Sequence, residues 1–297
     1  MPGPGEFLSL LTALTWAIAV ILFKKSGETV HPAALNLFKN TVALVLFVPT
    51  ALALGGSLFC NLGAEEFLFM VVGGMVGVAL ADTMFLHSLN LLGASLTAVV
   101  DCLYSPSIIV LSVLFLGESM TTMQMVGAVL IVAAVLSPLF EKRAVGFEAM
   151  DKVRVIKGTL WGAASMLAMA GSIVAVKPIL DRAPLMWSCQ VRMLGGVLGL
   201  VAMLAFYPKR KAVLASLKGS GLKYAIASAL VGGYLSMMLW LAGMKFTDAS
   251  VSAALNQTSN VFLFALAAVV LKELVTAQRI AGIAMGVVGA FLVMFGQ

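Results

Sequence analysis

The chain has 297 residues, 61% of them hydrophobic and only 11% charged, with a formal net charge of +6. A soluble globular domain carries about 25% charged residues, so a water-soluble globule is excluded. The basic residues fall mainly between apolar runs, where they report orientation in a membrane rather than nucleic-acid binding.

The apolar runs come in chain order at about 7–25, 34–54, 67–88, 94–116, 121–139, 158–177, 185–206, 222–243, 249–271 and 276–296. Each can cross a hydrocarbon core of ~30 Å at ~1.5 Å per residue. None alternates apolar and polar residues as barrel strands do, so helices are expected. The first run lacks a basic leading region and a small-residue cleavage site, and reads as a retained helix rather than a signal peptide. The second carries Lys39, the third Gly73, Gly74, Gly77, Asp82 and His87, the fourth Asp101 and Pro106. Pro106 frees backbone groups near mid-span and predicts a kink or hinge there. The stretch 140–157 is polar and charged and is expected to link two halves. The seventh run carries Arg192 with Gly195, Gly196 and Gly199, and the ninth carries Asn256 and Asn260. The glycine clusters are expected to serve close helix packing.

The halves repeat. Residues 94–127, ASLTAVVDCLYSPSIIVLSVLFLGESMTTMQMVG, align without a gap to 249–282, ASVSAALNQTSNVFLFALAAVVLKELVTAQRIAG, at an offset of 155. Ala94-Ser95 matches Ala249-Ser250, Glu118 matches Glu273, Thr121 matches Thr276 and Gly127 matches Gly282. In the first two spans the offset is 153, pairing Lys24 with Lys177 and Lys39 with Arg192; Gly77 pairs with Gly232 at 155. The fold class expected is an all-α membrane protein of ten transmembrane helices, in two five-helix repeats over 1–139 and 158–297. Five is odd, so the second half enters from the opposite side and the repeat is inverted, an architecture that points to transport.

Lys and Arg gather on the side that holds the loops after the odd-numbered spans, with Lys24, Lys25, Arg154, Lys209, Arg210, Lys218, Lys272 and Arg279 among them. The other side has Lys177, Arg182 and Lys245. The basic side is therefore expected to be cytoplasmic, with both termini outside a cell (inner) membrane.

The order of short motifs, Phe85-Leu86-His87-Ser88-Leu89, Ala94-Ser95, Pro106, Leu116-Gly117-Glu118 and Gly127, then Ala242, Ala249-Ser250, Glu273 and Gly282, resembles the EamA-like branch of the drug/metabolite transporter superfamily. Trp16, Lys24, Lys39 and Arg192 fit the same pattern. Departures are Val261 where the first half has Pro106, Lys272 where it has Gly117, and Lys39 in place of an arginine usual in such relatives. The resemblance implies a ten-helix secondary transporter working by alternating access, with efflux of amino acids or related metabolites, and relatives often drawn with cytoplasmic termini.

Charged side chains at membrane depth cost about 2.5–3.5 kcal/mol on insertion scales and need partners or a wet cavity. Lys39, Asp82 and Asp101 fall at one level, and Arg192, Asn256 and Asn260 at the corresponding level of the second half. These six are the substrate-binding candidates; Asp82, Asp101 and His87 are the proton-coupling candidates. Lys39 paired with Asp82 or Asp101 as a buried ion pair is the structural alternative. Asp101 faces an amide, Asn256, in the repeat, so the halves diverge where chemistry would sit. Glu118 and Glu273 are expected to complement the start of the helix that follows each, with Thr121 and Thr276 as caps.

Cys60, Cys102 and Cys189 are scattered, only His31 and His87 are available as histidines, and no metal, cofactor or enzyme motif is present. The function expected is secondary transport of a small polar organic solute such as an amino acid. A carrier of an anionic or nucleotide-linked metabolite, or an intramembrane enzyme or receptor, is the alternative. Expected partners are the bilayer and the solute, with no nucleic acid; a homodimer is compatible.

Overall fold

A computed structural model describes residues 3–53, 62–116, 121–136, 151–247, 249–273 and 275–295. The described residues are mostly helical, and none of them forms a strand. Seven helical segments are long and apolar enough to cross a membrane: Pro4–Ser26, Pro32–Ala53, Ala64–Leu92, Ala94–Leu111, Lys152–Arg182, Leu185–Ala205 and Leu222–Phe246. Three shorter apolar helices, Thr122–Leu136, Thr258–Val270 and Ala277–Leu292, accompany them.

In the first half, α1 is Pro4–Ser26 and α2 is Pro32–Ala53. α3 (Ala64–Gly74) runs through a π-helical segment, Met75–Ala81, into α4 (Asp82–Leu92). The fourth span is broken into α5 (Ala94–Asp101) and α6 (Tyr104–Leu116), and α7 is Thr122–Leu136. In the second half, α8 is Lys152–Arg182 and α9 is Leu185–Ala205. The short α10 (Arg210–Ala215) precedes α11 (Leu222–Ser228), which passes through a second π segment, Ala229–Ser236, into α12 (Met237–Phe246). α13 (Ala249–Asn256), α14 (Thr258–Val270) and α15 (Ala277–Phe295) complete the chain. α8 starts at Lys152, capped by the Asp151 carboxylate on the Val153 amide at 3.1 Å, so residues 152–157 of the expected linker are helical. Residues 140–150 lie outside the described set.

The repeat seen in sequence recurs in conformation. The two π segments coincide at the 155 offset, and so do the breaks after Asp101 and Asn256. In the first break the Cys102 and Leu103 amides turn back onto the Val99 and Val100 carbonyls, at 3.3 and 3.0 Å. Proline at 106 has no amide for the Cys102 carbonyl four residues earlier, which ends the regular ladder there. In the second half the break persists with Val261, so proline is not its sole cause.

Packing follows the same two-fold relation. α1 lies against α12 as α4 lies against α8, α2 meets α9, and α7 meets α15. Exchange of the halves maps these contacts onto themselves. Glycines set the closest approach: a Cβ on Gly195 would run into the Val71 carbonyl, and one on Gly74 into that of Arg192. Large apolar side chains face outward as well as into the core. Phe115 and Val269 are 75% and 77% exposed on the rim, while Asn36, Lys39, Asn40, Asp82 and Arg192 are buried. That order matches a lipid solvent, in which polar groups are tolerated only inside the bundle.

Candidate functional site

A cavity of about 90 Å³ lies between the halves, walled by both. α1 contributes Thr12, Ala13 and Trp16, and α8 contributes Met166 and Met169, which are the repeat counterparts of Ala13 and Trp16. Asp82 and Phe85 face the cavity opposite their counterparts Met237 and Trp240; Asp101 and Tyr104 do so opposite Asn256 and Ser259. Lys39, Gly232, Ser236 and Gln257 complete the wall. Equivalent positions thus converge from both halves, which places the cavity on the pseudo-two-fold axis.

The charged part of the wall is built outward from α2. Lys39 Nζ lies 2.5 Å from Asp82 Oδ2 and donates to Asn40 Oδ1 at 3.1 Å. Asn40 donates to Asn36 Oδ1 at 2.8 Å, and Asn36 donates to the Val78 carbonyl at 2.8 Å and to Thr83 Oγ1 at 2.9 Å. This chain reaches the π segment just before Asp82, where a widened turn shifts carbonyls out of the usual ladder and needs side-chain donors. The open sequence alternative therefore resolves to Asp82 as the partner of Lys39. The pair is buried and its charges cancel.

Asp101 is different. Among the described residues it enters no ion pair and receives no hydrogen bond, and its partial exposure is to the cavity. Tyr104 Oη, Ser236 Oγ and both amide atoms of Asn256 are likewise without protein partners, and all three residues line the cavity. Buried polar atoms are ordinarily satisfied. A cluster of unsatisfied ones at a concave wall is where water or a solute completes the set.

Lys39, Asp82, Asp101 and Asn256 of the sequence-derived candidates line this cavity; Arg192, Asn260 and His87 do not. Arg192 is fully buried, packed over the ring of the wall residue Trp240 at 5.7 Å. Its Nη2 donates to Ser172 Oγ at 3.2 Å, while Nε and Nη1 have no hydrogen-bond partner among the described residues. The absence of Cβ atoms at Gly73 and Gly77 leaves room for the guanidinium. Asn260 donates to Gln257 Oε1 at 2.6 Å, in the interface with Cys102. His87 sits at the middle of α4, five residues on from Asp82, stacked on Trp161 at 5.7 Å and edge-on to His31 at 5.8 Å. Depth along each helix was legible in sequence, but rotation about its axis was not. The direction of Trp16 and Tyr104 was open in sequence; Phe85 and Trp240, absent from the candidates, carried one usable signal, since they are repeat-equivalent large side chains, as are Trp16 and Met169.

Glu273 corrects another expectation. It does not complement the helix after it. Its carboxylate accepts the Ala94 and Ser95 amides at 2.7 and 2.8 Å and the Ser95 hydroxyl at 2.6 Å, capping α5 in the other half. Gly93 adopts φ +82°, and a side chain there would meet the Glu273 carboxylate, so glycine is required twice over. The hydroxyl part of the expectation holds, since Thr276 Oγ1 accepts the Arg279 amide at 3.2 Å. Glu118 lies outside the described residues.

An all-helical, duplicated membrane protein with a polar cavity on its internal axis is the class that fold and site define. The EamA-like transporter family model matches the chain twice, over residues 3–138 and 156–295, and the chain belongs to that family. It is 22% identical over 276 residues to an uncharacterized transporter of Archaeoglobus fulgidus, covering 93% of this chain and 92% of that one. A solved crystal structure 21% identical in sequence shares the fold, with a TM-score of 0.67 over 97% of this chain and 94% of the other. The protein is a multi-pass membrane transporter within the drug/metabolite transporter superfamily.

Proposed function

We propose that the protein is a secondary active transporter, an exporter or exchanger, that moves a small polar organic solute through the axial cavity by alternating access. The repeat units, 1–139 and 158–297, rock about the pseudo-two-fold axis. The observation that carries this reading is a cavity walled by repeat-equivalent residues and holding unpartnered polar atoms from both halves. In an inverted repeat, exchanging the conformations of the halves exchanges the side to which such a cavity opens. An amine-bearing solute, the class that includes amino acids, suits Asp101. An anionic solute is disfavoured because Arg192 lies behind Trp240 rather than at the wall. An acid–base enzyme pair is disfavoured because Asp82 is neutralised by Lys39.

Counterflow in proteoliposomes, with a panel of amino acids and amines, tests the reading. Flux above that of protein-free vesicles is expected for at least one solute, and Ala13→Trp, which fills the cavity, should abolish it. Flux unchanged in folded Ala13→Trp would overturn the route. The basic side faces the cytoplasm in this reading. A fluorescent, phosphatase-inactive fusion at Gln297 would reverse that orientation.

A further inference from the structure

The transport reading leaves the chemistry of the solute open, and the cavity narrows it. Its charges do not balance locally: Lys39 and Asp82 cancel at 2.5 Å, and Asp101 remains. No described side chain donates to the Asp101 carboxylate. The amides of the break beside it, Cys102 and Leu103, are spent on Val99 and Val100. An anion entering there meets a carboxylate, no free backbone donor and only the neutral donors of Tyr104, Ser236 and Asn256, whereas a cation meets an acceptor that lacks only a donor. The rest of the wall is aromatic and thioether, with Trp16, Phe85, Trp240 and Met237 among it. Such surfaces attract a cation through ring quadrupoles and adapt to its apolar body through flexible, polarisable sulfur side chains.

We propose that the cavity selects organic monocations, with an ammonium group set on the Asp101 carboxylate and an aromatic or branched apolar body among Trp16, Phe85 and Trp240. This rests on the axial cavity being the solute site. The class is narrower than amine-bearing solutes in general and leaves out zwitterionic amino acids, because a solute carboxylate would need a cation at the wall. Lys39 is already paired, and Arg192 stands behind Trp240.

Titration of the purified full chain, followed by calorimetry, separates the possibilities with four matched probes at neutral pH: phenethylamine, benzyltrimethylammonium, phenylalanine and phenylacetate. The two cations are expected to bind, phenylalanine about tenfold or more weakly, and phenylacetate not at all. Asp101→Asn should weaken both cations by about tenfold or more, the scale of a lost charge-assisted contact. The double variant Asp101→Asn/Asn256→Asp should regain binding, since position 256 is the repeat equivalent of 101 and lines the same cavity. Recovery in the double variant also shows that the single loss is not misfolding. Should Asp101→Asn not fold, Asp101→Glu should keep cation binding. Unchanged affinity in folded Asp101→Asn, tighter binding of phenylalanine or phenylacetate, or no binding of either cation overturns the proposal. Counterflow is read separately. Cations that bind through Asp101 without flux remove the transport reading and leave this inference standing. Flux of another solute that is indifferent to Asp101→Asn does the reverse.

Discussion

The two halves present one geometry and two chemistries to the cavity. Lys39 and Arg192 are repeat-equivalent buried cations, but Lys39 has Asp82 at 2.5 Å, whereas the position equivalent to Asp82 is Met237. Asp101 likewise faces the neutral Asn256 across the axis. The duplication sets where side chains stand, and the residue type at each equivalent position decides which cation is neutralised and which half carries the unpaired carboxylic acid. Lys39 is therefore part of a closed ion pair, while Arg192 is held by one hydroxyl and an aromatic face.

The sharpest way to break this comparison is to strip each cation of its surroundings. Asp82→Ala should cost about 3–5 kcal/mol, the scale for leaving one member of a buried pair bare. Thermal unfolding in detergent should recover most of that in Lys39→Met/Asp82→Leu. A next, smaller effect tests the contact by which the second half holds the first. Glu273→Gln removes a charged cap from α5 and should cost about 1–2 kcal/mol, with faster hydrogen exchange at Ala94 and Ser95. Unchanged exchange there would mean that the cap is dispensable.

Arg192→Met bares no carboxylate and should change stability by about 1 kcal/mol or less. A loss as large as that of Asp82→Ala would make the halves energetically equivalent and refute the asymmetry. The smallest effect lies outside the spans. Burial lowers the pKa of His31 from its ordinary 6.5, and its Nδ1 accepts the Ala33 amide at 3.2 Å near the start of α2. Because the folded value lies below the unfolded one, stability should be full above 6.5 and fall as pH drops below it through the folded value. His31→Gln should flatten that slope in a pH series of melting temperatures.

Composition and run length made the class legible, because hydrocarbon leaves the backbone few ways to satisfy itself. The constant offset made the duplication legible; Pro106 signalled a kink in the fourth span, but nothing signalled the matching break after Asn256. The buried charges were legible as residues, since charge at membrane depth stands out in any apolar run. Their grouping was not. Lys39 lay as close in depth to Asp101 as to Asp82, and the choice between them depends on how the π segment before Asp82 turns α4 toward α2.

The sequence by itself therefore determined a duplicated helical membrane protein, most of its helices to within a few residues, and which charged residues fall inside apolar runs, because these follow from composition and one-dimensional spacing. Only the tertiary structure decided which charges pair, that Arg192 stands behind Trp240, that Glu273 caps a helix of the other half, and that Asp101 is left facing the cavity. Those outcomes depend on the rotation of each helix about its axis and on contacts between halves more than 150 residues apart, which a linear pattern does not encode.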